Sequence, residues 1–227
     1  MNEIIIKFPS TPYLFSLEKE CIRNDKCLSM EERNAFLLNC IIVEEKIDGA
    51  NLGISFDQDG IPVFQNRGGT INSFVGQWKQ LFNWFLAHEY FLFDALFDRY
   101  ILFGEWCYAR HSVFYDSLPD FFIAFDIFDK QNKSFFSVNK RNFFLKDSGI
   151  YSVPLIGKGY YSMEQLSKLV LTSKYGQEKA EGIYLRIDEG EELKQRAKFV
   201  RPSFHQAIED HWSRNTLVLN RLKEDKQ

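Results

Sequence analysis

Between Val75 and Phe97, apolar residues stand at 75, 78, 81, 82, 85, 86, 92, 93, 96 and 97, the three- and four-residue intervals of one helical face. The spacing predicts one long helix, or two short ones meeting around His88–Tyr90. Seven further segments read as strands: Cys40–Glu45, Ala50–Phe56, Ile61–Gln65, Ile101–Tyr108, Phe121–Phe128, Gly182–Asp188 and Lys194–Val200. Turn signals such as Asp57-Gln58-Asp59-Gly60 separate some of them. Several strands follow one another with no helix between, so the pattern predicts a largely antiparallel sheet and an α+β fold rather than a doubly wound parallel one. In Ser29-Met30-Glu31-Glu32 a hydroxyl and a carboxylate have the spacing of a capping box, which predicts a helix running to about Leu38. The same signature recurs at Ser162–Gln165 and Ser203–Gln206.

Composition narrows the class. The chain has 227 residues, with 23 Phe, 10 Tyr and 4 Trp making 16 % of it aromatic, enough for one sizeable core and incompatible with disorder or a coiled coil. No repeat or Gly/Ser-rich linker divides it, so one continuous domain is expected. The formal charge of −3 rules out a general cationic field, so any nucleic-acid contact must be local. Cysteines at 21, 27, 40 and 107 lack zinc-site spacing and are too few for a disulfide scaffold. They read as buried thiols in a reducing compartment. The amino end lacks a basic region followed by a long apolar stretch, and His88, Glu89 and Asp94 break the aromatic stretch 81–97. A cytoplasmic location is expected. His88, His111, His205 and His211 are too dispersed for a metal cluster and read as structural, although His111 beside Arg110 is a candidate phosphate contact.

Candidate chemistry begins at Val43-Glu44-Glu45-Lys46-Ile47-Asp48-Gly49-Ala50-Asn51-Leu52, where a lysine ends an apolar strand and a carboxylate and a glycine follow it. Such a lysine serves as a nucleophile only when neutral, which requires nearby cations or desolvation to lower a pKa of about 10.4. Alternation in 194–200 puts Lys194, Arg196 and Lys198 on one strand face, and the same alternation in 181–187 puts Glu181 in line with Ile183, Leu185 and Ile187. A carboxylate on an apolar face needs a cation or a metal.

Six segments in order resemble the covalent nucleotidyltransferase superfamily of ligases and capping enzymes, and most closely the ATP-dependent RNA ligases. Lys46-Ile47-Asp48-Gly49 is similar to that family's first motif, whose lysine attacks the α-phosphate of ATP to form lysyl-AMP. Arg67, in Gln65-Asn66-Arg67-Gly68-Gly69, resembles the arginine that contacts the ribose or the incoming 5′-phosphate. Glu105, in Phe103-Gly104-Glu105-Trp106, resembles the glutamate that binds a ribose hydroxyl. Phe125, in Phe122–Phe128, resembles the aromatic that stacks on adenine. Glu181-Gly182-Ile183-Tyr184-Leu185-Arg186 resembles the fourth motif, with its glutamate near the metal. Gln195-Arg196-Ala197-Lys198-Phe199 resembles the fifth, whose lysine contacts the α-phosphate. The stretch 104–128, the opening Lys7-Phe8-Pro9-Ser10-Thr11-Pro12 and the closing His211-Trp212-Ser213 are similar to bacterial and phage RNA ligases in particular.

The resemblance implies an antiparallel-sheet, ATP-grasp-like nucleotidyltransferase domain over residues 1–202 and a short helical tail over 203–227. It implies ATP and Mg²⁺ or Mn²⁺ as cofactors and Lys46 and Lys198 as catalytic residues. Glu45, Lys46, Arg67, Glu105, Phe125, Glu181 and Lys198 would hold the nucleotide, with Glu45 orienting adenine through its backbone. Asp48 and Glu181 would hold the metal. The cationic stripe with Arg201 suits a triphosphate and is expected to depress the pKa of Lys46. AMP would pass to the 5′-phosphate of an RNA end, and a 3′-hydroxyl would then displace it. Val200 stands where some relatives carry a second lysine, leaving Arg196 or Arg201 to compensate. The 29 residues after Lys198 are too few for the additional C-terminal domain that several ligases use, so RNA specificity and end geometry would depend on the short tail or on a partner protein. The rival readings are a DNA ligase or DNA-end adenylyltransferase, and a catalytically silent nucleotide- or RNA-binding subunit. An acid/base pair drawn from Glu45, Asp48, Glu105 and Glu181 leaves the lysines unexplained.

Overall fold

The structure is a computed structural model that describes residues 5–15, 27–202, 204 and 217–224. Two sheets carry it. The first runs β10(Glu192–Val200)-β9(Gly182–Glu189)-β1(Ile41–Lys46)-β8(Leu155–Gly159) and is antiparallel throughout. The second runs β3(Pro62–Gln65)-β2(Ala50–Phe56)-β4(Tyr100–Trp106)-β5(Phe122–Asp129)-β6(Ser134–Phe135), with the short β7(Tyr151–Ser152) parallel to β5. The α+β class and antiparallel pairing follow as expected from the strand-rich pattern.

α1(Met30–Leu37) and α4(Met163–Lys168) begin at capping boxes in which Ser29 pairs with Glu32 and Ser162 with Gln165. α2(Leu81–Leu96) runs unbroken through His88, preceded by a separate 3₁₀ turn at Gly76–Trp78. It buries Leu81, Trp84, Phe85, Leu92 and Leu96 against the second sheet, joining Leu52, Ile54, Leu102 and Trp106 in one core. Burying a side chain of this size contributes roughly 1.5–3 kcal/mol. A second core covers the outer face of the first sheet, where Ile41, Val43, Ile183, Leu185, Ala197 and Phe199 meet Leu14, Phe36 and Leu166.

The inner face of the first sheet is polar. Glu44, Arg186 and Arg196 lie on it, and with Arg141 of α3(Val138–Phe144) and Asp126 of β5 they tie the sheets together through buried ion pairs. The chain crosses from the first sheet to the second at Ile47-Asp48-Gly49, between β1 and β2. A Cβ at Gly49 would stand 2.9 Å from the Trp106 carbonyl oxygen, so the crossing needs glycine there.

The tail departs from the helical expectation. Pro202 and Phe204 are helical, but Leu217–Glu224 is extended and bridges Ala109 and Leu118. Buried Asn220 holds it there, accepting from the Tyr115 amide and donating to the Cys107 and Ala109 carbonyls. The Ser203–Gln206 capping box and His211-Trp212-Ser213 lie largely or wholly outside the described residues. The reduced-thiol expectation holds for Cys40 and Cys107, which are free, and fails for Cys27, which is in a disulfide. No helix among the described residues is long and apolar enough to cross a membrane.

Candidate active site

The eight residues singled out in the sequence line two adjoining chambers. An open cleft of about 600 Å³ takes in Lys46, Asp48, Arg67, Glu105 and Glu181, with Gln77, Trp78 and His111 on its walls. A narrower chamber of about 40 Å³ is lined by Glu45, Lys46, Arg67, Glu105, Phe125 and Lys198, together with Phe8, Thr11 and Tyr184. Lys46, Asn51, Arg67 and Glu105 belong to both.

Lys46 ends β1 with its ammonium 2.6 Å from Glu181 Oε2. The expected depression of its pKa is not found. Burial pulls the ammonium down, but Glu181, Glu105 and Asp48 outweigh it and hold Lys46 above its ordinary value. The cationic stripe is elsewhere: a β-bulge between Leu193 and Gln195 breaks its alternation, and Lys194 pairs with Glu192 in solvent. Arg196 reaches Asp126 and covers the rings of Phe8 and Phe135. Of the three stripe residues, Lys198 lines the chamber, with its ammonium over the Tyr13 ring. Arg201 donates to the Ala180 carbonyl and acts electrostatically on Asp48.

Glu181 precedes β9, so the alternation that would align it with Ile183 does not apply, and its carboxylate meets Lys46. Asp48 Oδ2 accepts from the Ser112 and Val113 amides, while its own amide donates to Tyr115 Oη. Burial holds Asp48, Glu105 and Glu181 all above the usual carboxylate range, with Glu105 pushed up to about 8. Three carboxyl groups crowd one lysine. That acidic excess suits a hard divalent cation, although no set of three ligand side chains among the described residues is arranged to hold one directly. Glu45 faces the other way, accepting from Ser173 Oγ and the Lys174 amide, and its own amide donates to Pro154. Its backbone N–H is therefore already engaged.

Phe125 sits in the chamber because of a backbone irregularity. Phe103 pairs with Asp126 and Gly104 with Ala124, which leaves Phe125 as the extra residue of a β-bulge. Its carbonyl accepts from Arg141 Nη1 at 2.7 Å and Arg186 Nη1 at 3.2 Å. Those guanidiniums are charge-balanced by Glu44 and Asp126, at 1 % or less exposure. Bulges re-aim side chains, and here two buried arginines hold one in place. Sequence pattern gave no sign of Arg141, which lies 97 residues from its partner Glu44. His111 lies within 3.0 Å of Gln77 Oε1, and burial keeps its pKa below the ordinary imidazole value. Asn51 Nδ2 is buried without a hydrogen-bond partner, and Tyr184 Oη is buried with only the Thr11 hydroxyl bearing on it.

The RNA ligase family profile matches residues 39–200, which spans the candidate site from β1 to β10. The chain belongs to the RNA ligase family. No curated protein matches it in sequence. Among solved structures, RNA ligase from Naegleria gruberi with PPi is 18 % identical, with a TM-score of 0.63, over 91 % of this chain and 59 % of that one. A variant of that ligase with AMP and Mn is 16 % identical at TM-score 0.59, again over 91 % and 59 %. A variant with ATP and Mn is 16 % identical at TM-score 0.57, over 79 % and 56 %. At such identities the likeness establishes the RNA ligase fold, and the chain spans less than two thirds of those ligases' length.

Proposed function

We propose that the chain is an ATP-dependent RNA ligase that works through lysyl-AMP at Lys46. The observation that carries this reading is the position of Lys46 at the junction of two chambers, one walled by Phe125 and Glu105, the other open and polar. Nζ attacks the α-phosphorus in line with the departing pyrophosphate, and the P–O bond to pyrophosphate breaks. Lys46 must first lose a proton. Glu181 lies at hydrogen-bond distance, and its raised pKa suits it to hold that proton. Lys198 offsets charge developing on the α-phosphate oxygens. Glu105 binds a ribose hydroxyl, Phe125 stacks on adenine, and Arg67 with Asn51 faces ribose or phosphate oxygens. Phe8 packs edge-on to Phe125 at 5.0 Å, so the rings must part for a base to enter so small a chamber.

The excess of carboxyl groups fits Mg²⁺ or Mn²⁺, which Asp48 and Glu181 would hold largely through water. When bound, that ion supplies positive charge against the α-phosphate oxygens. The substrate is an RNA 5′-phosphate, which takes the AMP, followed by a 3′-hydroxyl that displaces it. We assign residues 1–202 to the adenylyltransferase domain and 203–227 to a tail, of which Leu217–Glu224 docks on the 107–118 segment. A protein partner supplying more cationic RNA-binding surface suits a chain of net charge −3. The test is incubation with α-labelled ATP and Mg²⁺ or Mn²⁺, then transfer to 5′-phosphorylated RNA or DNA ends. Wild type is expected to take up label and pass it to RNA, whereas Lys46→Ala takes up none. An unlabelled wild type would sink the covalent mechanism, a labelled Lys46→Ala would remove Lys46 as nucleophile, and transfer to DNA alone would overturn the RNA assignment.

A further inference from the structure

A buried polar atom without a partner costs free energy, and native structures hold few of them. Among the described residues the side-chain cases are Arg33 Nε, Asn51 Nδ2, Tyr184 Oη, Arg186 Nε and Asp188 Oδ1. Arg186 Nε and Asp188 Oδ1 face each other at 3.6 Å, and Arg33 lines neither chamber. Tyr184 and Asn51 both line the narrow chamber. We propose that Tyr184 determines nucleotide specificity, its hydroxyl donating a hydrogen bond to a ring nitrogen of the bound purine. This rests on the reading of that chamber as the ATP site.

Register puts Tyr184 where a ligand would meet it. It stands opposite Glu44 on β1 and Lys198 on β10, two residues beyond the Gly182 that pairs with Lys46. Its side chain therefore shares the inner sheet face with Lys46 and Lys198. The chamber walls come from both sheets, with Phe125 and Glu105 on one and Tyr184 on the other. The chemistry of the lining then sorts by ligand part. Lys46, Arg67 and Lys198 are cations suited to phosphate oxygens, and Glu105 is suited to ribose hydroxyls. A base is neutral, and its edge is best read by neutral hydrogen-bonding groups. Tyr184 offers such a group. Burial, reinforced by Asp126, holds the phenol above its ordinary pKa, so it keeps the proton it would donate. Thr11, which also lines the chamber, bears on the phenol oxygen as a hydrogen-bond donor, and that contact leaves the phenol's own proton without an acceptor. A purine ring nitrogen would accept the phenol proton that Thr11, acting as donor, does not take.

Tyr184→Phe removes the hydroxyl and little else, so stability and nucleotide affinity separate. The midpoint of thermal unfolding without nucleotide should stay within about 2 °C of wild type, because the only protein contact the hydroxyl gives up is the weak one from Thr11. KM for ATP in lysyl-AMP formation should rise about three- to tenfold, with the final extent of labelling preserved. With 1-deaza-, 3-deaza- and 7-deaza-ATP, the wild type should lose a similar factor on one analogue, on which Tyr184→Phe loses nothing further. An unchanged KM in Tyr184→Phe overturns the proposal, whether the midpoint falls or not. So does a wild type indifferent to all three analogues, or an analogue penalty that Tyr184→Phe retains in full. Each of these leaves the ATP site standing, since wild-type labelling with ATP is measured alongside. A wild type that takes up no label overturns that underlying reading instead.

Discussion

Glu105→Gln should stabilise the ligand-free protein at alkaline pH while weakening its use of ATP. Burial pushes this carboxyl up to about 8, with Lys46 and Arg67 opposing and Glu181 and Asp48 reinforcing the shift. In the unfolded chain it ionises near 4.5, so between pH 4.5 and 8 folding takes up a proton that the unfolded chain has released. Stability from this group is therefore greatest below about pH 4.5 and falls as pH rises to 8. Taken alone, the displacement corresponds to about 5 kcal/mol once pH exceeds 8. Asp48 and Glu181 titrate against the same lysine and relax when one member is removed, so about 1–3 kcal/mol should be realised. Glutamine keeps the shape and cannot ionise. Urea or thermal unfolding at pH 5, 6.5 and 8 should show Glu105→Gln gaining on wild type as pH rises, reaching about 3–10 °C at pH 8. Label uptake from α-labelled ATP should fall in the same variant, because a ribose acceptor is lost. A variant less stable than wild type at pH 8, or a stability difference independent of pH, would refute the electrostatic reasoning.

Arg141→Ala leaves Glu44 buried without its bidentate partner and removes a donor from the Phe125 carbonyl, so urea unfolding should show a loss of about 3–5 kcal/mol. Asn220→Ala deletes three hydrogen bonds that hold the tail on the 107–118 segment, a loss of about 2–3 kcal/mol by the same assay. Limited proteolysis should then cut the tail of Asn220→Ala faster than that of wild type. In Gly182→Ala a Cβ would stand 2.1 Å from the Phe199 carbonyl oxygen, prising β9 from β10 beside Glu181. Unfolding should detect at least about 1–3 kcal/mol, and lysyl-AMP formation should slow with it.

Much of the scaffold was readable because the strands bury apolar residues in regular order, and because Ser29 and Ser162 each had their capping partner three residues on. Elements without those signals were missed. β8 is a partly exposed edge strand, Leu155-Ile156-Gly157-Lys158-Gly159, with no alternation to find. α3 starts at Ser137 but carries no acidic or amide partner at its third position, where Lys140 stands. The capping-box spacing at Ser203–Gln206 and the resemblance pointed to a helical tail, yet Leu217–Glu224 is extended because Asn220 and the backbone of the 107–118 segment offer it long-range hydrogen bonds. Local pattern carries no record of partners a hundred residues away.

The same limit explains the one electrostatic expectation that failed. A run of Lys194, Arg196, Lys198 and Arg201 looks like a field able to deprotonate Lys46, but a charge matters by where it points after its own neighbours have been met. Glu192 and Asp126 absorb Lys194 and Arg196, and the groups nearest Lys46 are Glu181, Glu105 and Asp48, scattered over 134 positions of sequence. The site thus holds Lys46 above its ordinary pKa and pushes Glu105 up to about 8. Such a site gains most from a ligand that brings cation and anion together. A metal-bound polyphosphate would meet that description on the proposed reading, with the carboxyl groups turned to the ion and Lys198 and Arg67 to the phosphates. On the proposed reading such a site would be primed by its substrate, with Lys46 becoming a nucleophile only when an α-phosphate is there for it to attack.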